Sequence, residues 1–319
     1  MVPLAIFLLF ATSAEARRVR LAFPTPGPLQ LAFYSAQSQG YYKEEGLDVE
    51  FILMPATTAN LALIGGNVDA TTIGVAGLNA ALRGAPIKNI FNSFDRPAFW
   101  IYGKAGIRDV KDLAGKRVAT PGGLAAATGI LLREITRRHG LEAGRDVAVI
   151  TVAASATGLK ALQSGSVDAA VLVLPDNFEA AAAGFVEVVS FIKADVPTLN
   201  GSIVVRDQLL ESEPAAAERL LRATIKGLIY AREQRAGAAA ILAKNLKVKE
   251  DFAVKIYDVS RAAMTTDGLI PAEWQKKNVE LVMNSVGLKE GPAAEKLFDF
   301  SLARKINAEL ARQGWRPAP

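Results

Sequence analysis

The sequence predicts an α/β protein built as two similar lobes, each a mostly parallel sheet wrapped by helices. Three observations carry that prediction. Leu63-Ile-Gly-Gly-Asn-Val-Asp-Ala-Thr-Thr-Ile73 returns 99 positions later as Leu162-Gln-Ser-Gly-Ser-Val-Asp-Ala-Ala-Val-Leu172. Each copy reads as a helix end, a glycine turn and Val-Asp-Ala opening an apolar strand, which is half of a βαβ unit. Short apolar strands and helical patterns alternate around both copies. From Pro214 onward the pattern is almost wholly helical, with Leu220, Leu221, Thr224 and Leu228 on one face.

The elements follow in order. Val19–Phe23 alternates like a first strand and stops at Pro24-Thr25-Pro26-Gly27-Pro28, a rigid loop that continues neither helix nor sheet. A helical pattern runs from Leu29 to Gln39 and closes at Gly40; Asp48–Met54 is the second strand, and Pro55-Ala56-Thr57-Thr58 leads into a helix over 59–64. The strand Asp69–Ile73 ends in a Gly74–Gly77 loop, and Ile87–Phe91 ends at Asn92-Ser93-Phe94. Phe99–Tyr102 reads as a strand leaving the first lobe, with hinges expected at Trp100–Gly103 and Val196–Gly201. The second set starts at Val110–Ala119, turns at Thr120-Pro121-Gly122-Gly123 and runs through a helix to His139. Val147–Val152 is a strand, Ser155–Thr157 opens the next helix, and Ala169–Leu174 ends at Pro175-Asp176. After one more helix and strand, Leu199–Ile203 returns to the first lobe; helices near 250–265, 271–286 and 292–311 finish the chain. The expected division is 17–102 with 198–319 in one lobe and 103–197 in the other.

Composition narrows the chemistry. The chain has 319 residues, half of them hydrophobic, enough for a large core. Its formal charge of +5 is spread among acids with no long basic run, so nucleic acid is not an expected partner. There is no cysteine and one histidine, His139, which sits before Gly140 where a helix C-terminus favours basic residues. Catalysis that relies on Cys or His is thereby disfavoured, and neither metal nor cofactor is expected. Residues 1–16 carry an apolar run, Val2–Phe10, and an Ala14-Glu15-Ala16 pattern suited to secretory cleavage, although no Lys or Arg precedes the run. A signal peptide over 1–16 and a periplasmic, monomeric mature chain are the expectations.

In open parallel sheets ligands bind outside the carboxyl ends of the strands. The loops there supply the candidate ligand contacts: Thr25 and Pro26, Thr57 and Thr58, Val75, Asn92 and Phe94, Thr120, Gly122 and Gly123, Ser155 and Thr157, and Asp176. Hydroxyls, amides and bare N–H groups bind polar solutes well and do little acid–base work, so binding without catalysis is the natural reading. Thr120-Pro-Gly-Gly123 suits an anion because glycines before a helix let the backbone N–H groups approach it; a tight structural turn explains the glycines equally well. Asp176 either pairs with a ligand amine or caps the following helix.

Gly40-Tyr-Tyr-Lys-Glu-Glu-Gly-Leu-Asp-Val-Glu50, Gly66–Ala70, Val110-Lys-Asp-Leu-Ala-Gly-Lys-Arg-Val118 and Gly165–Ala169, in that order, resemble the ABC-transporter substrate-binding proteins of the nitrate/sulfonate/taurine class. That class shares a domain family with thiamine-pyrimidine synthesis proteins. The resemblance implies a two-lobe periplasmic-binding-protein fold of type II, with two crossover strands and a helical C-terminal part. It implies a small organic anion or heterocycle (sulfonate- or taurine-like, aromatic acid or pyrimidine-like) trapped by hinge closure and handed to an ABC permease and its ATPase. A periplasmic sensing subunit that presents the solute to a membrane signalling partner is the alternative. The fungal pyrimidine synthases of the same family use a cysteine-rich motif and their own histidine, so their activity is not expected in a chain without cysteine.

Overall fold

The computed structural model describes residues 16–194 and 196–318, so the expected signal peptide lies outside the described residues except for Ala16. The chain opens with β1 (Arg17–Phe23), α1 (Leu31–Ser38), α2 (Tyr41–Glu44), β2 (Leu47–Leu53), α3 (Ala56–Ile64), β3 (Ala70–Thr71), α4 (Gly74–Leu82) and β4 (Ile87–Phe94). It then crosses to β5 (Phe99–Gly103), β6 (Arg117–Pro121), α5 (Ala127–Arg138), β7 (Ala148–Val152), α6 (Ser155–Gln163), β8 (Ala169–Val173), α7 (Asp176–Ala182) and β9 (Val186–Ser190). After returning as β10 (Asn200–Arg206) it is helical: α8 (Asp207–Ser212), α9 (Pro214–Glu233), α10 (Arg235–Leu246), α11 (Glu250–Arg261), α12 (Ala272–Val286), α13 (Ala294–Leu297) and α14 (Ser301–Arg312).

Two five-stranded sheets result, ordered β2-β1-β3-β10-β4 and β7-β6-β8-β5-β9. In each sheet one strand comes from the other half of the sequence and runs antiparallel to its neighbours: β10 in the first, β5 in the second. This is the two-sheet, two-crossover α/β architecture that the sequence predicts. The crossing segments, 95–98 and 191–199, are stitched together where the Thr198 N–H donates to the Asp95 carbonyl at 3.3 Å. The C-terminal helices cover the first sheet, and buried Leu220, Leu221, Thr224 and Leu228 of α9 form the face expected of them. A separate buried group, including Ile101, Val118, Leu132, Ile135 and Val171, forms the core of the second sheet.

Three local expectations are corrected. Gly74–Gly77 is the first turn of α4, not a loop. A Cβ on Gly74 would lie 2.2 Å from Ser202 Oγ and 2.7 Å from the Leu199 carbonyl oxygen, so the missing side chain lets the helix start directly against β10. Asn92-Ser93-Phe94 continues β4, because Asn92 and Phe94 pair across to Ser202 and Asn200 of β10. Trp100–Gly103 lies inside β5, held by β8 on one side and β9 on the other, so the crossing itself is the short segment 95–98.

Candidate functional site

The carboxyl ends of the parallel strands of both sheets face one cavity of about 280 Å³. The first sheet contributes the Pro24–Leu29 loop after β1, Ala56, and Ile73–Ala76. The second contributes Pro121, Ala126–Thr128, Ala153–Ser155, Val173 and Leu174. Ala98, Phe99, Leu199 and Asn200 complete the wall from the ends of the two crossings, so the cavity abuts both of them.

Four helices begin at this cavity, two from each sheet: α3, α4, α5 and α6. The residues preceding them are Pro55, Ile73, Ala126 and Ala154, and none makes a side-chain cap hydrogen bond. A helix leaves its first N–H groups without an internal partner, and Ser, Thr, Asp or Asn commonly fills that need. Apolar residues stand there in all four helices, so backbone donors and the positive ends of four helix dipoles converge on the cavity.

The polar side chains divide by how far they are already engaged. Thr128 Oγ1 donates to the Pro121 carbonyl at 2.6 Å, tying the start of α5 to the end of β6. Ser155 Oγ accepts from the Val173 N–H at 3.0 Å, and its hydroxyl stands on the Asp176 side of the site. Burial raises the Asp176 pKa above the usual carboxylate value, and the Ser155 hydroxyl opposes that rise. Asn200 is different: it is 8% exposed, and its amide Nδ2 has no hydrogen-bond partner. A buried amide donor without a partner is costly unless a ligand or water completes it.

Of the sequence candidates, Thr25, Pro26, Val75 and Ser155 line the cavity together. Thr57, Thr58 and Thr157 lie in the exposed first turns of α3 and α6, outside the wall. Asn92 and Phe94 are fully buried in β4; the Asn92 amide donates to the Phe94 carbonyl, and its oxygen accepts from Ser202 Oγ at 2.5 Å. Thr120 is buried in β6 with an unpartnered hydroxyl. Gly122 and Gly123 (φ +71° and +69°) make the turn before α5, and a Cβ on Gly123 would meet Thr151 Oγ1 at 2.6 Å, so their spacing serves the turn. Asp176 stands behind Ser155 and does not line the wall. His139 caps the end of α5, with Nδ1 2.8 Å from the Ile135 carbonyl oxygen. Phe99, which the sequence offered beside Phe94 and Trp100 as a residue to stack on a ring or pack the core, lines the wall; Asn200, Leu199 and Ala126–Thr128 escaped sequence reasoning, because the crossings read as hinges and apolar helix starts give no polar signal.

Residues 28–238 match the family described as NMT1/THI5 like. The chain belongs to that family. Riboflavin-binding protein RibY of Chloroflexus aurantiacus is 28% identical over 258 residues, covering 70% of this chain and 71% of RibY. The 4-amino-5-hydroxymethyl-2-methylpyrimidine phosphate synthase THI5 of Saccharomyces cerevisiae is 30% identical over 123 residues, 37% of this chain and 35% of the synthase. Among solved structures, the periplasmic aliphatic sulphonate binding protein SsuA from Escherichia coli superimposes with a TM-score of 0.74 at 20% identity, over 90% of this chain and 99% of SsuA. The fold is that of the periplasmic binding proteins.

Proposed function

We propose that the protein is an extracytoplasmic solute-binding component of an ABC importer. It captures a small organic acid or heterocycle between two lobes joined at 95–98 and 191–199, then delivers it unchanged to a permease and ATPase. The observation that carries this reading is the cavity wall: four uncapped helix starts, two from each sheet, and no Asp, Glu, Lys, Arg or His. Such a wall supplies hydrogen-bond donors from both lobes, so a solute gains its full set of contacts only when the lobes are close together. Binding then shifts an open–closed equilibrium by its differential affinity for the closed form.

The same wall supports binding without turnover. Acyl or phosphoryl transfer, hydrolysis and proton abstraction each need a nucleophile, base or acid at the reacting atom. Ser155 has no imidazole or amine beside it in the wall, and Asp176 does not line it. Family membership, the SsuA-like fold and the RibY relative support capture. Among the described residues, no helix is long and apolar enough to cross a membrane.

The test is calorimetric titration with organic acids, pyrimidines and riboflavin, paired with mass spectrometry of solutes retained from a cell extract. One-to-one binding with recovery of the unaltered compound is expected. Chemical conversion of a bound compound, or no retained solute at all, contradicts the reading.

A further inference from the structure

The two lobes also touch away from the cavity, at contacts made by helices of the C-terminal part. Arg133 projects from α5 of the second lobe, and its guanidinium donates to the Ser285 carbonyl of α12. That carbonyl lies in the last turn of α12, which ends at Gly287 in the left-handed conformation (φ +71°). The final carbonyls of a helix lack internal partners and carry the negative end of its dipole. The N–H groups of Gly287 and Leu288 turn back to Asn284 and Met283, and Ser285 receives the arginine of the other lobe instead.

The two helices come together at one end, where Ile130 meets Leu281 and Val282 beside Pro197 and Thr198 of the second crossing. Beyond that point they part around a groove of about 520 Å³, lined by Glu134, Arg137, Leu141 and Asn284, and Arg133 spans it. A second contact joins other elements: Phe178 of α7 meets Phe252 of α11 edge to face, with ring centroids 5.8 Å apart. Edge-to-face pairs at this separation are favourable beyond the area they bury. α12 packs on α4 and α11 on α10, so both C-terminal helices ride with the first lobe. Arg133, Ser285, Phe178 and Phe252 all lie outside the cavity wall.

We propose that α11 and α12 strap the second lobe to the first through Phe252–Phe178 and Ser285–Arg133, and so set the fraction of closed protein before any solute arrives. These contacts exist only while the lobes are together, and they are indifferent to what the cavity holds. Their consequence for binding rests on the capture reading above; the strap itself does not. An apparent Kd is the intrinsic one divided by the fraction of protein in the competent form. Changes at the strap therefore retune affinity and leave the choice of solute alone.

Pulsed electron–electron distance measurement without solute tests the strap, with spin labels at Leu61→Cys on α3 and Lys160→Cys on α6, one in each lobe of a chain that has no cysteine of its own. The labelled parent should show a shorter-distance population. Arg133→Ala and Phe252→Ala should each lower its ratio to the longer-distance one roughly threefold. The two contacts share no residue, so the double variant should lower it roughly tenfold. Arg133→Lys, which keeps a cationic donor, should retain most of the shorter population. Arg137→Ala, in the same groove but paired with Glu134, should match the parent. If Phe252→Ala lowers the Tm, Arg133→Ala carries the test, because its side chain spans an open groove. A parent with only the longer distance, an Arg133→Ala or double variant with the parent's distribution, or an equal shift in Arg137→Ala overturns the inference. With a solute in hand, its Kd should rise in each variant by the factor by which the closed fraction falls, and the same compound should be retained from a cell extract. Failure of every solute to bind would refute capture while the distances still decide the strap.

Discussion

The two copies of the Gly-x-Val-Asp-Ala turn make the same bonds in opposite halves of the molecule. In the first, the Asp69 carboxylate accepts from the Arg20 N–H at 2.8 Å, and the Arg20 guanidinium donates to the Gly66 carbonyl at 3.2 Å. In the second, Asp168 accepts from the Arg117 N–H at 2.9 Å, and Arg117 donates to the Gly165 carbonyl at 3.4 Å. Each aspartate thus clamps a helix end to the neighbouring strand at the end of the sheet remote from the cavity. Beyond the shared alanine the copies part. β3 stops after two residues and Gly74 starts α4, whereas β8 runs five residues before α7. The comparison separates scaffold from site: what is repeated holds the lobes together, and what differs shapes the cavity wall.

The largest effect should come from forcing the copies to agree where they part. Gly74→Val places branched carbon where a Cβ already comes within 2.2 Å of Ser202 Oγ. Moving α4 away should cost about 3 kcal/mol, at the upper end of overpacking penalties, and deform the cavity. Chemical denaturation together with ligand titration reads both consequences.

Removing either clamp should cost less and spare the site. Asp69→Ala and Asp168→Ala should each lower stability by about 1–2 kcal/mol, since each strands a backbone donor and an arginine at the surface. The two share no partner, so the double variant should show the sum, with ligand affinity within twofold of the parent. Non-additive denaturation midpoints would mean that the turns are coupled across the molecule.

Acid sharpens the same contrast. The Arg117 N–H, helped by Lys104 and the Arg117 guanidinium, holds Asp168 well below the usual carboxylate range. A folded pKa below the unfolded one gives stability that is present above the unfolded value, near 4, and is lost as pH falls through the folded value. The Tm gap between the parent and Asp168→Asn should therefore be widest near neutrality and shrink steadily below about pH 4.

The smallest effect belongs to the outer helix faces. Leu61 of α3 is 72% exposed, and the position 99 residues on is Lys160. Leu61→Lys should change stability by less than about 0.5 kcal/mol and leave binding alone. A clear loss of affinity would show that α3 reaches further into recognition than its burial indicates.

Sequence legibility follows the same division. Strands and helices were readable because Val19–Phe23 alternates, Gly40 and Gly165 stop helices, and Val-Asp-Ala recurs with its glycine. The positions of Thr25, Pro26, Val75 and Ser155 in the wall could be read because strand-end loops must meet at the cavity. Asn92 and Phe94 could not be placed, since only the antiparallel return of β10 shows that they continue a strand rather than leave it. Asn200 was invisible for the same reason: its unfilled amide emerges from a crossing strand paired with residues over a hundred positions earlier. The four helix starts carry their message through backbone N–H groups, which every residue except proline possesses, so side-chain identity says little about them.

The central claim, that two lobes close on a solute held between helix starts, is best tested by a distance measured between the two lobes. The chain has no cysteine, so Leu61→Cys with Lys160→Cys gives a clean spin-label pair on equivalent helices, one from each lobe. Pulsed electron–electron distance measurement with increasing amounts of the solute that titration or retention from a cell extract identifies should show a longer-distance population give way to a shorter one, with a midpoint matching the calorimetric Kd. An unchanged distance distribution at full calorimetric saturation would contradict the account.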